Sequence, residues 1–397
     1  MSESLSSVSS PSAGSAPAGE TRPRVAIVGA GVMGLSLGWR LARAGCAVDI
    51  YEAGVAGRGA SHAAAGMLAA CAEAEPGEEQ LLALNRASQA LWPQFAAELE
   101  AESGASVDLR TEGTLTIGLT ADDAARLRHL FALQTALGLP VAWLTAAAAR
   151  RREPHLTGQI SGAILSAEDH QVDNRKVVAA LATAAARSGA RLHENSPVSR
   201  VATSAGKALG VVVGDALQPA DVVILAAGAW SRGVDITPAT PLPVRPVKGQ
   251  MLALRMNPNA PLVQHVIWAP NSYIVPRLDG RLILGATTEE KGFDTDLTAG
   301  GLLALLTYAW RALPALEELP IAEQWVGFRP GSRDDAPILG PSPEVDGLVY
   351  ATGHHRNGIL LLPATATVIA DFVLEGRLDA IAAPFGAGRF APCAAAE

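Results

Sequence analysis

The first strong hydrophobic pattern in the chain is "RVAIVGAGVMGLSLGWRLARAGCAVDIYEAG", Arg24 to Gly54, behind a polar leader. Its 15 apolar or small residues from Val25 to Trp39 suit either an export signal or a folded core. A secretory signal needs a positively charged start, then an apolar stretch and a small-residue cleavage site. Here the run begins about two dozen residues in, after few positive charges. Its internal order favours a core: "RVAIVGAG" reads as a buried strand of β-branched residues ending on glycines, "VMGLSLGWRLARAG" as a helix and "AVDIYEAG" as a second strand. The pattern predicts a βαβ unit.

Further along, Val177 to Ala185 carries apolar residues at helical spacing, Gly189 stops the helix, and a strand pattern follows. "DVVILAAG" reads as another buried strand. In "NSYIVPRLDGRLILGATT" two β-rich runs flank Asp279-Gly280, a strong hairpin signal. That hairpin puts Tyr273, Val275 and Arg277 on one face and Ile274 and Pro276 on the other. Pro276 lacks an N–H, which predicts an unpaired strand side there. "LVYATGHHRNGILLLPATATVIADFVLEG" reads as strand, glycine loop and helix; Pro363 is tolerated only in a first turn, so the helix cannot begin much before Leu360. Gly376 ends it. The apolar run Gly358–Ala370 is broken by Pro363 and stopped by Asp371, too short to cross a bilayer.

At 397 residues the chain suggests two structural units with a substantial core. A hydrophobic content of 49%, a charged content of 18% and a net charge of −8 indicate a soluble globular protein with a small-molecule partner, no nucleic acid and no membrane span. The three cysteines, Cys46, Cys71 and Cys393, are odd in number and scattered, which suggests neither disulfides nor zinc and fits a reducing cytoplasm. The eight histidines include His354-His355 but no ligand pattern, so no metal is expected. Residues 1–23, rich in Ser, Ala, Pro and Gly, lack the apolar bulk to offset ordering and are expected to form a disordered leader. The tail 386–397 is expected to fray.

Within the βαβ unit, Gly29, Gly31 and Gly34 form G-x-G-x-x-G between strand and helix, and Glu52 ends the second strand 18 positions after Gly34. Gly29 permits a tight turn, Gly31 lets a pyrophosphate touch backbone, and Gly34 lets helix and strand pack closely. The helix N-terminus offers N–H groups to the phosphates, and Glu52 can accept from ribose hydroxyls. The bland alternative is a glycine packing turn without a ligand. The fingerprint does not separate NAD from FAD. "GRGASHAAAGMLAA", Gly57–Ala70, follows the acid directly; its tiny residues suit backbone approach to a flat ring, or, taken alone, an alanine-rich helix start.

The chain resembles the glycine oxidase family of thiamin biosynthesis, within the FAD-dependent D-amino-acid oxidase and sarcosine oxidase superfamily. The resemblance is carried, in order, by "VAIVGAGVMG", "ASHAAAGML", "VVILAAGAWS", "PVKGQMLAL", "YIVPRLDGRLILGAT", "GFRPGSRDDAPILG" and "GHHRNGILLLPAT", and covers the chain from about Arg24 to Gly376. It implies an α/β fold: a Rossmann-type FAD-binding domain with a parallel sheet, assembled from 24–87, 167–231 and 328–385, plus an α+β substrate domain with an antiparallel sheet from 88–166 and 232–327. It implies FAD contacts at Gly29, Gly31, Val32, Met33, Gly34, Glu52, Ala53, Ala60, Ser61, Ala65, Gly66, Met67, Val198, Gly228, His354, His355, Arg356, Asn357, Gly358, Ile359 and Leu360. The cysteine that some sarcosine oxidase relatives use near the loop before "GSRDD" is missing, so FAD is expected to be held non-covalently.

Arg329 precedes Pro330, which pushes it toward extended backbone at the end of a strand-like segment. A guanidinium there can grip a carboxylate through two parallel hydrogen bonds, and the alternative is an ion pair with Asp334 or Asp335. The resemblance assigns Arg329 to the substrate carboxylate, with Arg356 as a second guanidinium and Tyr273 closing the pocket; plain alternatives are a loop arginine and a packed tyrosine. His354 and His355 read as loop histidines without catalytic duty. Asn271 and Thr288 stand where some relatives carry histidine and methionine, which alters the size and polarity of the cavity. With the carboxylate fixed, hydride passes from Cα to the flavin and positioning is the main catalytic contribution.

The implied activity is FAD-dependent oxidative deamination of glycine and other small amines or D-amino acids to the imine or 2-oxo acid. O2 is reduced to H2O2, and the product is supplied to a thiazole synthase by a dimer or tetramer. Three other readings stay open: a D-amino-acid or sarcosine dehydrogenase passing electrons to a quinone or carrier, a non-catalytic FAD-binding protein, and an NAD-linked enzyme.

Overall fold

The computed structural model describes residues 22–391. The expected leader up to residue 21, and the expected tail from 392 with Cys393, lie outside the described residues. In chain order the elements that build the site are β1 (Arg24–Val28), α1 (Val32–Arg43), β2 (Ala47–Tyr51), α2 (Glu79–Ser103), α3 (Asn174–Arg187), β3 (Val222–Leu225), β4 (Arg245–Arg255), β5 (Val266–Ala269), β6 (Ser272–Pro276), β7 (Arg281–Gly285), α4 (Ala299–Ala312), β8 (Ile321–Gly331), β9 (Leu348–Thr352) and α5 (Leu362–Glu375).

A six-stranded sheet runs in the order Ile338–Pro341, β9, β3, β1, β2, Arg191–His193, with every pair parallel except the first. Val25 and Ile27 of β1 face a core shared with α1, α2, α3 and α5, while Ala26 and Val28 face a second core with Val201 and Val211 from the three-stranded sheet beside it. Burial on both faces explains why these strands read as continuous apolar runs rather than as alternation.

An eight-stranded sheet follows the order β8, β4, β7, β6, β5, then Thr114–Gly118, Gly162–Ser166 and Val141–Leu144. It is antiparallel throughout except where β5 runs parallel to Thr114–Gly118. Side chains alternate as the hairpin pattern requires: Val275 and Ile283 pack with Tyr273 on one face, and Ile274, Leu282 and Leu284 pack with Leu305 and Ala309 of α4 on the other. Pro276 is opposite Leu282 of β7 but lies past the last rung with β5, at Ile267–Ile274, so its missing N–H is tolerated in an interior strand.

Three expected boundaries shift. The break at 87/88 falls inside α2, whose Leu84, Trp92, Phe95 and Leu99 pack into the core of the parallel sheet. Ser88 Oγ and Trp92 Nε1 donate to the Leu360 carbonyl at 2.7 and 3.0 Å, tying this helix to the glycine loop before α5. The break at 327/328 falls inside β8, which pairs with β4 along its whole length and places Arg329 on the antiparallel sheet. The tail expected to fray from 386 instead makes a 3-10 turn, Ala387–Phe390, anchored by Arg389 Nε 2.8 Å from Asp334 Oδ2.

Candidate active site

A cavity of about 1200 Å³ runs from the carboxyl ends of β1 and β2 to the inner face of the antiparallel sheet. At the first end, Gly29 has φ +103°, and a Cβ there would stand 2.6 Å from the Ala226 carbonyl oxygen. A Cβ on Gly34 would come within 1.8 Å of the Gly29 oxygen, so this glycine packs helix on strand and does not line the cavity. Gly31 faces only Ser61 Oγ, at 3.1 Å from its virtual Cβ, which leaves its backbone open to a ligand. Glu52 is pinned by two backbone donors, Ala30 N at 2.8 Å and Gly54 N at 3.1 Å, and stands on the wall of the crevice. The position outside the carboxyl ends of parallel strands, at a glycine turn opening a helix, is where nucleotide diphosphates bind in such sheets.

The middle of the cavity is lined by the small-residue segment. Only Ala60–Ala63 is helical, and Met67–Leu68 form a short strand. Gly66 has φ +69°, and a Cβ would lie 2.1 Å from the Val172 carbonyl oxygen, so no other residue fits. The segment is clamped from outside: Arg277 Nη2 donates to the Ala65 carbonyl at 2.6 Å, Asn174 Nδ2 to that of Ser61 at 2.8 Å, and Trp325 Nε1 to that of Ala63 at 3.1 Å. A crevice that joins a diphosphate-type turn to a wall of Gly and Ala backbone fits FAD along its length.

The far end is built by β4, β6, β7 and β8. Arg329 lies opposite Val247 and Tyr273 opposite Gly285. Two glycines make room for them: a Cβ on Gly249 would stand 2.7 Å from Arg329 Nη1, and one on Gly285 2.3 Å from the Tyr273 ring. Arg329 Nη1 donates to the Thr287 carbonyl at 3.2 Å, and no carboxylate of the described residues forms an ion pair with it. The acids that sequence offered as partners are engaged elsewhere, Asp334 with Arg389 at 2.8 Å and Asp335 with Arg245 at 3.4 Å. Burial raises the Tyr273 hydroxyl above its ordinary pKa, and the Arg329 guanidinium opposes the rise.

Arg356 also lines the cavity, but its charge is already matched: it stands 3.0 Å from Glu73, 2.8 Å from Glu75 and 3.8 Å from Glu78. The two guanidiniums expected to share one carboxylate are therefore unequal, and Arg329 alone is uncompensated. Glu73 is the carboxylate that sequence reasoning missed. It sits in "AEAEPGEE", a stretch that reads as a solvated loop, yet it is buried on the cavity wall, and burial pushes it up to about 7 against the pull of Arg356.

His354 is buried, with Nε2 3.1 Å from Thr365 Oγ1, and burial lowers it to about 3. Burial likewise lowers His355 to about 4 against the pull of Asp335, its Nδ1 neighbour at 3.7 Å. Both are neutral near pH 7. Of the residues expected at the cofactor, Gly29, Gly31, Val32, Met33, Glu52, Ala53, Ala60, Ser61, Ala65, Gly66, Met67, Val198, Gly228, His354, His355, Arg356, Gly358 and Ile359 line the cavity. Gly34, Asn357 and Leu360 do not. The Asn357 backbone caps the turn before α5, donating to the His354 carbonyl at 2.9 Å and accepting from Leu361 N at 2.8 Å, while the Leu360 carbonyl receives Ser88 and Trp92.

The model of the family described as "FAD dependent oxidoreductase" (DAO) matches residues 24–372, spanning both sheets and every wall of this cavity. The chain belongs to the DAO family of FAD-dependent oxidoreductases. It is 38% identical to the glycine oxidase of Geobacillus kaustophilus over 368 residues, 92% of this chain and 96% of the relative. It is 36% identical to the bifunctional protein ThiO/ThiG of Trichormus variabilis over 92% of its own length and 55% of the relative's, so it spans about half of that protein. The crystal structure of glycine oxidase from Geobacillus kaustophilus superposes with a TM-score of 0.86 at 37% identity, covering 93% of this chain and 99% of that one. Gly249 and Gly285 carry a signal in the sequence itself: glycine inside a strand marks close approach of another group.

Proposed function

We propose that the chain oxidises glycine and other small amino acids at the Cα–N bond, in an FAD-dependent oxidative deamination that yields the imine and then the 2-oxo acid. The observation that carries this reading is the Arg329 guanidinium, without an ion-pair partner among the described residues, at the end of the cavity beside the half-buried Tyr273. FAD, when bound along the glycine turn and the Ala60–Met67 segment, would supply the acceptor for the hydrogen and electron pair that leave the substrate carbon. Arg329 holds the substrate carboxylate through two parallel hydrogen bonds, with the Tyr273 hydroxyl as a further donor. Burial lowers His354 to about 3 and His355 to about 4, which makes both poor proton acceptors, so positioning is the contribution of these residues.

The same reading has O2 as electron acceptor, giving H2O2, and the product passing to a thiazole synthase in thiamin biosynthesis; the relatives named ThiO/ThiG support that connection. It places a dimer or tetramer in a reducing cytoplasm, where the buried thiols of Cys46 and Cys71 stay unpaired. Among the described residues no helix is long and apolar enough to cross a membrane.

Glycine added without air to the purified yellow protein should bleach the flavin, and air should then restore the colour with release of peroxide. A flavin that stays oxidised with glycine overturns the reading; bleaching without peroxide identifies a dehydrogenase, and a colourless active protein an NAD-linked enzyme. Arg329→Ala should keep the oxidised flavin spectrum and raise KM for glycine by about a hundredfold or more. An unchanged KM removes Arg329 from the substrate site.

A further inference from the structure

Glu73 has no task in the reaction described above, yet it is held in place from behind. The buried Asp169 carboxylate accepts the N–H groups of Cys71 at 2.9 Å and Ala72 at 2.7 Å, which fixes the turn that delivers Glu73 to the cavity wall. Only 7% of the Glu73 side chain is exposed, against 55% for Glu75, so Glu75 can exchange Arg356 for water and Glu73 cannot. Glu73 Oε2 stands 3.0 Å from Arg356 Nε without an aligned hydrogen bond, so the two are joined chiefly by charge.

We propose, on the basis of the amino-acid oxidase reading, that Glu73 determines substrate specificity: its fixed carboxylate neutralises Arg356 and repels a second anion, so that the site accepts amino acids with one carboxylate and rejects amine dicarboxylates. Arg329 and Arg356 together carry enough charge for two substrate carboxylates. Glu73 already fills one of those places, and a second anion would meet its nearly buried carboxylate, where water screens like charges poorly. The groups facing Glu73 are Arg356 and Arg329, which favour its ionised form, and Asp169 and Glu75, which oppose it; Glu78 and the Tyr273 hydroxyl complete the surroundings. Because burial pushes Glu73 up to about 7, mild acid protonates it and removes its negative charge from the cavity wall, while Arg356 keeps its hydrogen bond to Glu75.

The test uses the FAD-loaded protein and reads flavin absorbance while acetate or malonate, unreactive mono- and dicarboxylates, is titrated in. In Glu73→Gln, malonate should bind on the order of tenfold tighter, with acetate unchanged within about twofold. The kcat/KM of D-aspartate relative to D-alanine should rise with it. In the unaltered protein, lowering the pH from about 8.5 to about 6.5 should tighten malonate relative to acetate, because the protonated Glu73 no longer opposes the second charge. An unchanged malonate-to-acetate ratio in the variant, or in the unaltered protein across that range, overturns the proposal; so does equal weakening of both ligands in the variant, which marks a merely structural role. A shifted ratio in a protein whose flavin glycine does not reduce would sink the oxidase reading and leave Glu73 as a selector of bound mono- over dicarboxylates, not of amino-acid substrates.

Discussion

A methyl group on Gly285 would meet the Tyr273 ring, which is rigid and packed against Trp268, whereas one on Gly249 would meet the tip of the Arg329 side chain, which can swing. The two glycines therefore differ in what they protect. Gly285→Ala should lower kcat/KM for glycine by about a hundredfold through displacement of the ring, while Gly249→Ala should cost less; steady-state kinetics on both, with the flavin spectrum as a check on loading, ranks them. Equal losses, or a harmless Gly285→Ala, would mean that Tyr273 does not set the pocket. At this scale the extended backbone of Arg329 was legible from its place before Pro330. The ion pairing of Arg356 was not, because its partner Glu75 lies 281 residues away in sequence.

At the scale of elements, the site depends on the β6–β7 hairpin reaching back to the small-residue segment. Arg277, at the tip of β6, is buried and donates to the carbonyls of Ala65 and Val172 and to Asn174 Oδ1 at 2.6, 2.7 and 3.0 Å. The strand pattern placed Arg277 on the same face as Tyr273, but alternation does not say what an arginine on a buried face touches. Arg277→Met would remove the donors and leave those acceptors buried and unpaired, at a cost of about 3 kcal/mol or more. Chemical denaturation should show that loss, together with faster release of FAD on dialysis. Retained stability would show that water replaces the guanidinium.

For the molecule as a whole, Glu73 makes stability depend on pH in a direction that can be worked out. Its carboxyl ionises near its ordinary 4.5 in the unfolded chain but near 7 in the fold. Between those values the native state holds the extra proton, so this group's contribution to stability falls as pH rises through the window. The melting temperature of Glu73→Gln minus that of the unaltered protein should therefore increase from about pH 5 to about pH 8; a constant difference would mean that Glu73 titrates normally. His354 and His355, lowered by burial, act with the opposite sign at more acid pH and cancel in this difference. The βαβ unit, the glycine fingerprint with Glu52, the 272–285 hairpin and a helix starting no earlier than about Leu360 were all determined by the sequence alone, because each rests on contacts or conformations within a few dozen residues. The joining of α2 to the core of the parallel sheet, the room that two strand glycines leave for Arg329 and Tyr273, and the pairing of Glu73 with Arg356 were decided only by the tertiary structure. Charge and packing act through space, and these partners meet only after distant segments have folded against one another.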